Sequence, residues 1–226
     1  MDLLVTLLAV AATVLGSAMG LPQARRIVRT QRVDGVSPAW IGVSVALNGW
    51  WIAYAVATGL WLVLPVSAVS MAFYVTMAIV FVRTVGARSL VGLGVGAGVL
   101  GMAPLPFLLG GGWTPAGVAI GLSYGLQLLP AVVGVYRTRR LGGVSSGTWT
   151  ICLLEAVLWL GVGVGVADLP VIVSGITGAA MAAMILVRLA ITGHLGRPQV
   201  PGRLRRFEPS GALGAVRRAE VAEPIT

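Results

Sequence analysis

Two polar side chains lie where the chain is otherwise hydrocarbon-like, Glu155 and Asn48. Glu155 stands eleven residues past Val144, near the middle of an apolar run at about 1.5 Å per helical residue. Asn48 is at the middle of another run. A carboxylate in hydrocarbon is costly and normally faces a cavity or a partner. Burial favours its neutral form. Such a group suits proton coupling or a cationic solute; a protonated Glu155 satisfied by a neighbouring helix is the structural alternative. Other chemistry lacks its parts. His194 is the single histidine, with no second histidine or cysteine beside it, so metal binding and nucleophilic catalysis are without partners. Gly161-Val162-Gly163-Val164-Gly165 with Asp168 is a faint dinucleotide-loop pattern without a βαβ context, and its spacing fits close helix packing better. Cys152 has no second cysteine to pair with and reads as a small packing residue. Neither an enzyme nor a cofactor is expected.

The elements that position these residues follow from composition. Of 226 residues, 57% are hydrophobic and 10% are charged, against about 25% charged in a soluble domain. A membrane span needs roughly 20 apolar residues. Seven runs qualify: about Leu3–Leu21, Ser37–Gly59, Trp61–Val82, Leu90–Leu109, Pro115–Tyr136, Ser145–Ala167 and Leu169–Thr192. No basic residue precedes the first run, so it reads as a mature span rather than a signal peptide. Residues 193–226 hold no apolar run and read as a flexible tail.

The chain repeats itself. With a shift of 108 positions, eight of the seventeen residues from Leu21 to Ser37 recur without a gap. Leu21-Pro22 returns as Leu129-Pro130, Arg29-Thr30 as Arg137-Thr138, Arg32 as Arg140, and Gly35-Val36-Ser37 as Gly143-Val144-Ser145. Trp51 and Trp159 keep the offset, and Glu155 falls opposite Leu47, beside Asn48. The repeat pairs run one with five and two with six; three with seven follows by order. Run four is unpaired. Three crossings is an odd number, so one extra crossing lets both copies face the same way. The expected fold is an all-α membrane protein of seven transmembrane helices: two parallel triple-helix bundles joined by a linker helix (3+1+3). Its divisions are 1–85, 86–112, 113–192 and the tail 193–226. Gly94 and Gly98 form a small-xxx-small pair expected to pack the linker. Trp61 and Trp113 read as interfacial anchors.

Charge placement gives orientation. All sixteen basic residues are arginine, and every one falls in the one–two, three–four or five–six loop or in the end of run seven and the tail. Arginine in short loops marks the cytoplasmic face, so the N-terminus is expected outside and the C-terminus inside. Loops alternating with spans are not the basic groove or folded module that nucleic-acid binding requires. The net charge of +9 is therefore a topology signal plus a solvated tail, with anionic lipid headgroups as a further partner for the tail arginines. An Ala/Gly/Val-rich chain with arginine and no lysine suggests a GC-rich bacterial genome, hence a plasma membrane.

Leu21-Pro22-Gln23, the basic residues behind it and Gly35-Val36-Ser37 resemble the PQ-loop motif. With the repeat and the seven runs, residues 3–192 resemble the SWEET sugar transporters of the PQ-loop superfamily. The resemblance implies a solute path between the two triple-helix units, opened alternately to each side. It implies hinges at Pro22, Gln23, Pro38 and Pro130; the fourth proline position holds Ser146, and Ala131 stands where Gln23 would recur. Physically, an interior proline removes a backbone donor and kinks a helix; Pro22 and Pro130 as simple helix ends is the alternative. The resemblance also implies an aromatic pair late in each second helix and an asparagine in each third. Trp51 and Tyr54 fit the first pair; in the second half Trp159 fits, while Val162 replaces the tyrosine. Counting five residues past Pro65 and Pro170 gives Ser70 and Gly175 in place of asparagine.

The expected substrate-binding set is Trp51, Tyr54, Asn48, Ser70, Trp159, Gly175 and Glu155, with Tyr124 and Gln127 further along the path. The expected function is SWEET-like transport of a small solute, a sugar first, by facilitated diffusion. A proton-coupled carrier of amino acids or other solutes is the alternative that Glu155 and the missing asparagines favour. A non-transporting scaffold or receptor working through its tail is the alternative of another class. A homo-oligomer is compatible with the sequence.

Overall fold

The computed structural model describes residues 2–31, 33, 36–99, 101–137 and 144–195, and the side chain of Gln23 is outside what it describes. Every regular element among these residues is helical: α1 (Leu3–Thr30), α2 (Pro38–Thr58), α3 (Leu64–Val85), α4 (Ser89–Val99), α5 (Leu105–Gly111), α6 (Trp113–Arg137), α7 (Ser146–Gly165) and α8 (Leu169–Ile191). A 3-10 turn, Trp61–Val63, leads into α3. Among the described residues six helices are long and apolar enough to cross a bilayer, namely α1, α2, α3 with its leading turn, α6, α7 and α8. This is a multi-pass α-helical membrane fold. Large apolar side chains such as Leu3, Val91 and Leu109 stand exposed around it, as expected where hydrocarbon is the solvent. The repeated Arg32, Gly35, Thr138, Arg140 and Gly143, and the tail beyond Leu195, lie outside the described residues.

Local chemistry sets the helix ends, and it repeats. Ser37 caps α2 by accepting from the Trp40 N–H at 3.3 Å. Ser145 caps α7 by accepting from the Thr148 N–H at 3.2 Å. A capping hydroxyl satisfies one of the orphan donors of a first turn. Pro38 is the first residue of α2, where a missing N–H is no loss. Gly59 ends α2 at φ 74°, a left-handed conformation that only glycine adopts cheaply. Pro65 and Pro170 sit in the first turns of α3 and α8.

Pro22 and Pro130 do not end helices. They are interior residues of α1 and α6, which run on to Thr30 and Arg137. Each removes one rung of the ladder and frees the carbonyl four residues before it.

Run four departs from expectation. In place of one helix over 90–109 there are two short ones, α4 of 11 residues and α5 of 7, joined by a turn. At about 1.5 Å per residue neither spans a bilayer alone. The physical cause is the Gly101–Pro106 stretch. Pro104 and Pro106 cannot donate, and the Gly101 N–H reaches back five residues to the Gly96 carbonyl at 3.2 Å. The Gly101 carbonyl that the break exposes takes a 2.6 Å hydrogen bond from the Trp50 indole of α2. In hydrocarbon a freed backbone group must find such a partner.

The expected Gly94/Gly98 seam is also corrected. A Cβ on either would meet nothing within 4 Å. The packed face of α4 carries Gly92 and Gly96: a Cβ on Gly96 would run into the Ala39 carbonyl of α2, and one on Gly42 into that of Leu93. Trp61 is 60% exposed, as an anchor should be. Trp113 instead packs edge-on against Tyr54, with ring centroids 6.4 Å apart.

Helix α3 packs against both α1 and α2, and α8 against both α6 and α7. The two trios meet through α1 against α7 and α2 against α6. Helix α4 lies on α2, and α5 on α6. The described arginines stand at the C-terminal ends of α1, α3, α6 and α8 and just before α4, all at one end of the bundle.

Candidate functional site

The core is built differently at the two ends. Toward the arginines each trio closes on itself. Ala24, Ile27, Ile41, Met77, Val80 and Phe81 form one cluster, all from α1–α3. Val132, Val135, Ile185 and Leu189 form another, from α6 and α8. At the opposite end the trios share their cores. Ala55 and Val63 pack with Val171 and Val5 and Ala9 with Val162; a further shared cluster, Tyr54 and Leu47 with Ile120, continues along α2 to Val43 in its arginine-side half. Between these ends lies a cavity of about 300 Å³. Its walls run from Val63, Trp159 and Val171 under the shared packing to Met77 and Thr148 on the arginine side. Among the described residues, the trios are thus joined mainly over the cavity, at the end away from the arginines.

One hydrogen bond reinforces the joined end. The Tyr54 hydroxyl, in the last turn of α2, donates to Asp168 Oδ2 at 2.7 Å. Asp168 caps α8, its Oδ1 accepting the Val171 N–H at 3.0 Å. Tyr54 also meets Trp51 edge-on, with centroids 5.8 Å apart. Tyr54 was expected to contact solute. It is instead 3% exposed and absent from the cavity wall, belonging to the joint above the cavity. Asp168, which the sequence offered only as part of a faint nucleotide loop, is its partner.

The other six expected residues, Trp51, Asn48, Ser70, Trp159, Gly175 and Glu155, all line the cavity. They come from α2, α3, α7 and α8, so both trios contribute. Glu155 is 8% exposed. It lies against Gly16 of α1, where a Cβ would fall 2.5 Å from its Oε1. Gly175 borders the cavity, but its missing Cβ points at the backbone of Leu160 on α7, 2.7 Å away. Its glycine thus permits close packing of α7 on α8. Asn48 donates to the Ser44 carbonyl at 2.8 Å.

Several wall residues were weakly signalled or missed. Tyr124 and Gln127 of α6 both line the cavity. Gln127 donates to the Ser44 hydroxyl of α2 in a short bond, linking the trios at mid-depth. Tyr74, Trp40 and Ser174 also line it, with nothing in the sequence to single them out. Cys152, expected only to pack, lines the cavity with its thiol 3.3 Å from Met19 Sδ. Among the described residues there is no group of three or more His, Cys, Asp or Glu side chains placed to hold a metal ion.

No protein-family model matches the chain, and no curated protein matches it. Among solved structures, it is similar to that of a eukaryotic SWEET transporter. The identity is 18% and the TM-score 0.61, over 84% of this chain and 99% of that chain. At that identity the likeness is one of fold.

Proposed function

We propose that this protein is a carrier that moves a small polar solute across a membrane by alternating access. The observation that carries the reading is the cavity between two helix trios, whose shared buried clusters, among the described residues, lie mainly toward the end away from the arginines. Such a cavity takes solute from the side where the trios part, and rocking the trios would part the other end. In this reading residues 1–85 and 113–192 are the two triple-helix units. Residues 86–112 are a linker that crosses once as a broken helix, giving 3+1+3, and 193–226 are a tail. Pro22 and Pro130, each with one rung missing from a continuous helix, are the hinges on which α1 and α6 bend, with Gln23, next to Pro22 in sequence, and Pro38, at the start of α2, as the other two hinge positions. The arginine end faces the cytoplasm of a plasma membrane, so the described state is open inward.

The fold likeness to a SWEET transporter favours a sugar moved by facilitated diffusion. Trp51 and Trp159 offer flat apolar faces, and Asn48, Ser70 and Gln127 offer hydrogen bonds to hydroxyls. A second reading, a proton-coupled carrier of amino acids or other small solutes, is favoured by the intramembrane carboxylate of Glu155. Counterflow in proteoliposomes tests the carrier: vesicles preloaded with glucose, sucrose, or neutral or basic amino acids are given the same solute labelled outside. A carrier accumulates label above its outside concentration. Deleting residues 197–226 should leave that flux intact, whereas loss of a bound cytoplasmic partner without any flux would mark a scaffold.

A further inference from the structure

Among the described residues that line the cavity, Glu155 is the one with an acidic or basic side chain, and no arginine is among them. The groups that share the wall from α2, α3 and α6 are neutral, among them Asn48, Tyr74 and Tyr124. The carboxylate is nine-tenths buried. It occupies the space that Gly16 leaves on α1, at the seam where the two trios meet. An anionic group so placed, with no cation beside it, is expensive unless something brings the opposite charge. The wall also carries Trp51 and Trp159, whose ring faces attract cations.

We propose that the cavity is built for a small solute that carries a positive charge, with Glu155 as its counter-ion. Among sugars this means an amino sugar in preference to a neutral one: indoles for the ring, Asn48 and Gln127 for hydroxyls, Glu155 for the ammonium. The inference rests on the carrier reading above and narrows its solute.

Counterflow with matched solutes tests it: glucosamine beside glucose, and lysine beside norleucine, at neutral pH with no imposed proton gradient. The charged member of at least one pair should be carried at least about tenfold better than its neutral twin, the scale expected when a buried charge loses its partner. Its uptake should rise with an inside-negative potential. Glu155→Gln should erase the preference, and Glu155→Asp, which keeps the charge, should retain part of it. Equal or better transport of the neutral members, or a preference untouched by Glu155→Gln, overturns the inference and leaves the carrier standing. So does uptake of a neutral member that requires an imposed proton gradient and is lost in Glu155→Gln, since the carboxylate would then serve a proton. Accumulation of none of the four contradicts both the inference and the carrier.

Discussion

Tyr54 and Asp168, 114 residues apart in sequence, join the two helix trios through a 2.7 Å hydrogen bond at the end of the bundle away from the arginines. The bond lies over the cavity, beside the shared packing of Ala55, Val63 and Val171. It ties the last turn of α2 to the N-cap of α8, so it must break whenever that end opens.

In the alternating-access carrier proposed above, removing it should shift the population toward the other state. A hydrogen bond to a charged group contributes about 1.5–3 kcal/mol, so Tyr54→Phe should raise the population open at that end roughly ten- to a hundredfold. Asp168→Asn, which keeps an acceptor for the Val171 N–H, should act in the same direction. Cys152, the single cysteine, reports on it. An impermeant maleimide should label Cys152 from the arginine side in the native chain and from both sides in Tyr54→Phe. Unchanged labelling would remove the bond's role as a latch.

Pro22→Ala and Pro130→Ala restore a backbone donor to the interiors of α1 and α6. Proline costs a helix interior about 3 kcal/mol, so thermal stability should hold or rise. Flux should fall, most in the double variant, because the helices bend less readily. A double variant with native flux would show that these prolines are not hinges.

Gly16→Ala puts a methyl 2.5 Å from Glu155 Oε1 and 3.3 Å from Val66. The carboxyl group must leave its place, while the helix itself gains from alanine by about 1 kcal/mol. The expected result is a folded protein that has lost most of its counterflow. Native flux in this variant would mean that the position of Glu155 is immaterial to transport.

The glycines of α4 give a contrast in stability. Gly96→Ala drives a methyl into the Ala39 carbonyl and should cost about 1–3 kcal/mol, the range for overpacking. Gly94→Ala meets open space and should be neutral or mildly stabilising. Thermal unfolding of the two variants in detergent measures the difference; equal melting temperatures would contradict the assigned seam.

The six long helices were legible in the sequence to within a few residues at most boundaries because each is an unbroken apolar run. α1 is the exception: it continues past Pro22 because an interior proline deletes only one rung. The break in α4–α5 was not legible, since hydropathy is the same for a continuous and a broken apolar segment. Pro104 and Pro106 mark where it falls, but the partner that makes it tolerable, the Trp50 indole on the freed Gly101 carbonyl, is a contact 51 residues away. The packed face of α4 was ambiguous for a geometric reason. Gly92, Gly94, Gly96 and Gly98 contain two frames of spacing four, and only the rotation of the helix chooses between them. Six of the seven residues expected to bind solute came to line the cavity; depth in the span had singled out Asn48 and Glu155 and the repeat offset Trp159, whereas Ser70 and Gly175 were expected from the resemblance alone. Tyr54 did not, because a partner at the α7–α8 turn took its hydroxyl. A visible trace of that partner was the acidic residue directly before Leu169-Pro170, a helix-capping pattern.

The most direct test of alternating access is to lock the joined end. Ala55 and Val171 belong to the same buried cluster, so Ala55→Cys with Val171→Cys, in a Cys152→Ser background, should cross-link on oxidation. Counterflow of glucosamine, glucose, lysine and norleucine would be measured in the same vesicles reduced, oxidised and reduced again. A solute should accumulate in the reduced protein, fail to accumulate once the disulfide forms and accumulate again with reductant. Accumulation that persists in fully cross-linked protein, or none in the reduced protein when the Cys152→Ser parent also carries none, would contradict alternating access.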